Sequence, residues 1–319
     1  MNNKVSDIFL APMEGVVDGT MRRLLTQIND FDLCITEFVR VVDYKLPKHL
    51  FYKTCPELKQ ESCTDNGTPV RVQLLGQHPQ WMAENAHLAC SLGSRGIDLN
   101  FGCPAPTVNK SMGGAILLNS PDSIYRIIIA VKEAVTALEQ DVSVKIRLGF
   151  NEVNLFREII AAINQANPAQ LTVHARTKRH GYKPPAYWRT IGDVNEINNI
   201  KTIANGEIWS KEDAENCMLD AKTKHLMLGR GALALPNLAN VIKYNDQPMT
   251  WPQVCELLIQ YINIIPDEHH RYYVPSRIKQ WLKYLKIQYH EAGDFFEEIK
   301  RISDKQQLTE SIKHQISTR

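Results

Sequence analysis

The chain has 319 residues, with 37 lysines and arginines against 35 aspartates and glutamates, for a formal net charge of +2. That balance excludes a protein that coats nucleic acid by overall charge alone, and a 44% hydrophobic fraction excludes wholesale disorder. Seven cysteines, with no C-x-x-C pair and no Cys/His cluster at zinc spacing, support neither a disulfide scaffold nor a structural metal.

Reduced thiols fit a cytoplasmic protein. The opening residues, Met1-Asn2-Asn3-Lys4-Val5-Ser6-Asp7, lack the apolar core of a secretory signal. No uncharged apolar stretch reaches the roughly 18 residues that span a bilayer. A cytoplasmic location with no membrane and no metal is expected.

In chain order, β-like runs are expected at 8–11, 33–38, 70–75, 97–101, 142–148, 171–174, 201–204 and 225–228. Several are almost continuously apolar, as parallel strands covered on both faces are. Helical spacing fills most of the gaps, as at Ile124, Ile127, Ile128 and Val131. This alternation predicts a TIM-type (β/α)₈ barrel. A doubly wound open sheet is the alternative, but no G-x-G-x-x-G follows the first run. From about Tyr244 the strands stop, and helices are expected at 251–265, 274–290, 292–302 and 306–316. The predicted division is a barrel over 1–243 and an all-helical domain over 244–319.

Polar residues gather where the runs end: Pro12, Met13 and Glu14, then Glu37 and Arg40, Gln73, Asn100, Lys145 and Arg147, His174 and Arg176, Asn205, Gly206 and Glu207, and Gly229 and Arg230. In a barrel these ends meet at one mouth. Glycines fit ordinary turns, but Gln73, Lys145, Arg147 and His174 lie within apolar runs, where an unpaired polar group is costly. The glycine turns of the last two loops, next to Arg230, suit a phosphate. Lys145 suits the anionic edge of a flavin, Gln73 and Asn100 a planar heterocycle, and Met13 the face of a ring. A phosphosugar lyase with a Schiff-base lysine would use a similar set, so the barrel alone separates nothing. Cys103, in the Asn-Phe-Gly-Cys-Pro turn, could be a general acid or a nucleophile. Cys34, Cys90, Cys217 and Cys255 read as small buried hydrophobes.

The residues from His269 to His290 include five lysines or arginines, five aromatics and no acid, although 245–319 as a whole is neutral. Ile278, Trp281, Leu282, Leu285 and Tyr289 have the spacing of a core face. Lys279, Lys283, Lys286 and His290 form a stripe beside them that suits RNA phosphates.

The segments Ala11-Pro12-Met13, Val72-Gln73-Leu74, Asn100-Phe101-Gly102-Cys103-Pro104 with Gly113-Gly114-Ala115, Lys145-Ile146-Arg147, His174-Ala175-Arg176-Thr177, Asn205-Gly206 and Gly229-Arg230-Gly231 resemble those of the tRNA-dihydrouridine synthases, in that family's order. Residues 35–40 and 277–282 look most like its bacterial C subfamily, associated with uridine 16 of the tRNA D-loop. The resemblance implies that NADPH, or possibly NADH, reduces FMN. It implies hydride transfer from the flavin N5 to C6 of a uracil, with Cys103 protonating C5. It further implies that Pro12, Met13, Glu14, Gln73, Lys145, His174, Asn205, Gly206, Glu207, Gly229 and Arg230 hold FMN. Asn100, Arg147 and Arg176 would meet the substrate, while Arg40, Arg277, Lys279 and Tyr284 would place the tRNA. Many members carry a lysine shortly after the Cys-Pro, and Ala105-Pro106-Thr107 has none. A monomer could do all this. A reductase of free pyrimidines and a non-catalytic RNA-binding barrel are the competing readings.

Overall fold

Eight short parallel strands hydrogen-bond in sequence order, and the last pairs with the first to close a barrel. This is seen in a computed structural model, which describes residues 4–110, 113–195, 198–266 and 269–317. The first three residues used in the signal-peptide reading lie outside that set.

The barrel begins with β1 (Asp7–Leu10), α1 (Gly19–Gln27), β2 (Leu33–Arg40), α2 (Lys48–Thr54), β3 (Val70–Leu75) and α3 (Pro79–Ser91). It continues through β4 (Ile97–Asn100), α4 (Pro106–Lys110), α5 (Pro121–Thr136), β5 (Val142–Arg147), α6 (Phe156–Ala166), β6 (Gln170–His174) and α7 (Trp188–Asn195). It ends with β7 (Lys201–Asn205), α8 (Lys211–Ala221), β8 (His225–Leu228), α9 (Arg230–Ala234) and α10 (Leu238–Tyr244). The helical tail is α11 (Trp251–Ile264), α12 (Tyr273–Leu285), α13 (His290–Ile299) and α14 (Lys305–Ser317). The expected strands are all present, with ends that differ by one or two residues. The largest difference is β2, which runs on to Arg40 through a register shift between Ile35 and Phe38.

Alternation along the strands separates two cores. Ile8 and Leu10 point outward into the large cluster shared with the helices. Phe9, Ala11, Leu33, Ile35, Ile203 and Met227 form a small separate cluster from the β1, β2, β7 and β8 side of the lumen. The other side is polar. There Asp98 accepts from Gln73 Nε2 at 2.7 Å and from Ser143 Oγ at 2.6 Å. Parallel register then lines up the functional row, with Asn100 opposite Lys145, Arg147 opposite His174 and His174 opposite Asn205.

The tail shares the barrel's core. Ile278, Trp281, Leu282 and Leu285 are buried as their spacing predicts. Trp281 Nε1 donates to the Leu233 carbonyl at 2.9 Å, and its ring meets Tyr261 edge-on at 5.4 Å. The expected helix over 274–290 is in fact two. α12 stops at Leu285, and Tyr289 is extended so that its hydroxyl can donate to the Met249 carbonyl at 2.9 Å.

Arg277, expected to help place the tRNA, also joins the two parts of the fold. It is 8% exposed and reaches into the loop after β1. It donates to the Gly15 and Val16 carbonyls at 2.7 and 2.6 Å and pairs with Asp18 at 3.0 Å. These bonds fasten α12 to the barrel. Arg277→Met should therefore lower stability by about 3 kcal/mol, the low end of the cost of breaking a buried pair, because Asp18 keeps some solvent. The urea midpoint reports it, and an unchanged midpoint would remove Arg277 from the seam.

Candidate active site

The carboxyl ends of the strands open into a cavity of about 550 Å³. That is ample for a flat cofactor and a base. Of the residues read from the sequence, Pro12, Met13, Glu14, Gln73, Asn100, Cys103, Lys145, Arg147, His174, Asn205, Gly206, Glu207, Gly229, Arg230 and Tyr284 line it. Tyr284 comes from α12, so the tail supplies part of the wall.

One side is a linked set of amides. Asn100 Nδ2 donates to Gln73 Oε1 at 2.7 Å. Asn100 Oδ1 accepts from the backbone N–H groups of Gly102 and Cys103 at 2.9 and 3.0 Å. Asn100 thus shapes the turn that presents Cys103. The Cys103 carbonyl accepts from Asn109 Nδ2 and the Ala115 N–H, both at 3.1 Å. This contact explains why Gly113-Gly114-Ala115 belongs with the cysteine turn. Gly114 has φ +66°, and a Cβ there would come within 3.0 Å of the Cys103 carbonyl. Burial pushes the Cys103 thiol above its ordinary pKa, so it keeps its proton at neutral pH.

Beside this set of amides, on the strand adjacent to that of Asn100 and in register with it, lies Lys145. Its Nζ donates to Asn205 Oδ1 at 3.0 Å, and among the described residues it forms no ion pair with a carboxylate. Burial, with Arg147 adding to it, lowers its pKa to about 8. The same causes, in the same order, hold the His174 imidazole neutral. Gly206 sits against that imidazole at φ +116°, where a Cβ would lie 2.9 Å from the ring. No other residue type fits this turn without a shift.

Glu207 pairs with Arg230 at 2.7 Å and with Arg176 at 2.8 Å. Arg176, expected to meet the substrate, is fully buried, lies outside the cavity lining, and gives its Nε to the Lys183 carbonyl at 2.7 Å. Its charge pairs with Glu207, which lines the cavity. Lys279, expected to help place the tRNA, is half-buried and its Nζ donates to the Ile302 carbonyl at 2.5 Å. The expected basic stripe is interrupted where the end of α12 separates Lys283 and Lys286 from His290. Arg40 is exposed at the end of β2, outside the cavity lining.

Two aromatics escaped the sequence reading. Tyr182 lies between the guanidinium groups of Arg147 and Arg230, at 5.3 and 5.1 Å from its ring centre. The Arg230 guanidinium also lies over the Trp209 ring at 4.9 Å. The result is a cluster of cations and rings at the mouth. The available signal was length, since residues 175–187 connect β6 to α7 without a regular element.

Comparison with solved structures places the fold among known barrels. An old yellow enzyme homologue from Zymomonas mobilis aligns with TM-score 0.54 and 11% identity, covering 77% of this chain and 90% of that one. A histamine dehydrogenase from Rhizobium aligns with TM-score 0.57 and 13% identity, covering 75% of this chain and 46% of that one. At such identities the likeness is one of fold. Sequence relatives are much nearer. The tRNA-dihydrouridine(16) synthase of Haemophilus influenzae is 50% identical over 294 residues, 92% of this chain and 94% of that protein. The Escherichia coli K12 protein of the same name is 49% identical over 306 residues, 96% of this chain and 97% of that protein. Residues 9–319 match the family described as dihydrouridine synthase (Dus). With a match of that length and relatives at half identity, the chain belongs to the dihydrouridine synthase family.

Proposed function

We propose that this enzyme reduces the C5=C6 bond of a D-loop uridine in tRNA, uridine 16, to 5,6-dihydrouridine, with FMN as cofactor and NADPH as reductant. The observation that carries the reading is one cavity lined by both a protonated thiol, Cys103, and a cation, Lys145, that has no carboxylate ion-pair partner among the described residues. The names of the relatives supply the position of the uridine.

The residues fit a flavin mononucleotide. A buried ammonium whose nearby carboxylate, Asp98, is already taken by Gln73 and Ser143 is suited to an added anion. Gln73, Lys145 and His174 would hold the ring system, with Pro12, Met13 and Glu14 beside it. Asn205, Gly206, Glu207, Gly229 and Arg230 would hold the phosphate end. Bound there, the flavin supplies hydride to C6 of the base. Cys103 holds the proton destined for C5 on its Sγ. Its raised pKa suits a donor, because an ionised thiol would have no proton to give. Asn100 fixes the turn that aims the thiol, while Arg147, Tyr182 and Tyr284 line the approach. A base inside folded tRNA must turn out of its stack to arrive, at a cost of a few kcal/mol.

We also propose that 1–243 carries the chemistry and 244–319 the recognition of tRNA, and that the protein acts as a cytoplasmic monomer. Arg40, Arg277, Lys279 and Tyr284 would place the tRNA, with exposed Lys283 and Lys286 beside them on the tail.

The decisive experiment is the visible spectrum of the purified protein. Flavin bands should bleach with NADPH and return when unmodified tRNA is added. Bands that return with free uridine alone would move the substrate to small pyrimidines, and an absence of flavin bands after FMN is supplied would sink the reading.

Cys103→Ala should leave bleaching by NADPH intact and slow the tRNA-driven return by about 10²–10⁴-fold, the range of a general acid. In the parent protein that return should hold up to the ordinary thiol pKa, about 8.5, and fall only above it, whereas the variant should lack this limb. Lys145→Met should lower the flavin midpoint potential by roughly 30–60 mV, about 30 mV for each 1.4 kcal/mol of lost charge stabilisation in a two-electron couple. An unchanged potential would place Lys145 away from the flavin.

A further inference from the structure

The loop between β6 and α7 does more than close the site. Between Glu158 and Asp193 the sequence contains no aspartate or glutamate, while Arg176, Lys178, Arg179, Lys183 and Arg189 fall in or beside this loop. Two of the buried arginines described above fix its backbone. Arg147 donates to the Thr177 and Gly181 carbonyls at 3.1 and 3.0 Å, and Arg176 to the Lys183 carbonyl at 2.7 Å. The Tyr187 N–H closes the loop onto the Ala175 carbonyl at 2.7 Å.

That internal bonding leaves three cations on the outside. Arg179, Lys183 and Arg189 are exposed, and among the described residues their side chains have no hydrogen bond or ion pair. Tyr182 and Tyr187 are exposed beside them, at 53% and 41%. The acid in the adjoining loop after β5 is Glu152. In the closed strand order the loop after β6 follows the loop after β5 around the mouth and reaches the β8 side, where Tyr182 lies 5.1 Å from the Arg230 guanidinium.

We propose that this loop is a second RNA-contact surface, gripping the sugar-phosphate strand at the rim of the mouth beside Tyr182. The inference rests on the tRNA substrate proposed above. A base that enters the cavity keeps a phosphate on each side, and both must cross the rim. Tyr182 lines the cavity, and Lys183 follows it directly. Unpaired cations on a pre-ordered backbone attract those phosphates without first breaking protein ion pairs. Exposed tyrosines offer stacking faces to neighbouring bases.

The test measures binding of an unmodified tRNA transcript to the flavin-loaded full chain between 50 and 200 mM salt. Each lost phosphate contact should reduce the slope of log K against log salt by roughly 0.7. Arg179→Ala, Lys183→Ala and Arg189→Ala together should reduce it by about 2 and weaken binding near 150 mM salt by at least about tenfold. Lys224→Ala, exposed before β8 at the other end of the barrel, should leave the slope unchanged. The flavin spectrum checks that each variant is folded. If the triple variant loses it, the three single variants decide, each with an expected change of about 0.7. A parent slope retained in the variants, or an equal change in Lys224→Ala, overturns the proposal. A parent protein that binds no tRNA would instead overturn the substrate reading beneath it.

Discussion

A charged side chain inside a closed barrel must be compensated, and much of the site follows from how Lys145 meets that demand. Its strand is covered by helices on the outside, so the ammonium has only the lumen to point into. The lumen answers unevenly. The β1, β2, β7 and β8 side fills with Phe9, Leu33, Ile203 and Met227, while the β3–β5 side carries Gln73, Asp98 and Ser143. Asn205 supplies one acceptor. The remaining compensation is what an anionic cofactor would provide, and burial is what makes the ammonium sensitive to it.

The arginines divide in the same way between holding and binding. Arg176 and Arg277 are spent on carbonyls and carboxylates within the fold. Arg147 and Arg230 also make such bonds, but each keeps a face on the cavity, where Tyr182 lies between them. A planar cation can serve both purposes because its edge donates hydrogen bonds while its face stacks.

The barrel was legible because parallel strands buried on both sides read as apolar runs, and each run ended on the residues that now line the mouth. Gln73, Lys145 and His174 stood out because polar groups in such runs are costly without a purpose. What the sequence hid was the destination of each guanidinium. Arg176 and Arg277 sit in motifs as prominent as that of Arg147, yet a long flexible side chain can turn toward solvent, cavity or core, and spacing does not record which. The basic stripe failed for a related reason. Helical periodicity continues through Lys286, but the core needs Tyr289, and its extended backbone ends the helix. Tyr182 was missed because it lies in a segment without periodicity, held by bonds from distant arginines.

The continuous core between barrel and tail has a mechanical consequence. Trp281 and Arg277 make α12 part of the wall rather than a module on a linker, so that helix is held to the barrel as one piece. On the function proposed above, the deformation needed to bring a nucleotide to Cys103 would then fall on the RNA. The protein would act as a fixed jig, and a tRNA would be favoured by how readily its D-loop bends to that shape. Exchanging tails between relatives would disturb the shared core before it changed the choice of nucleotide.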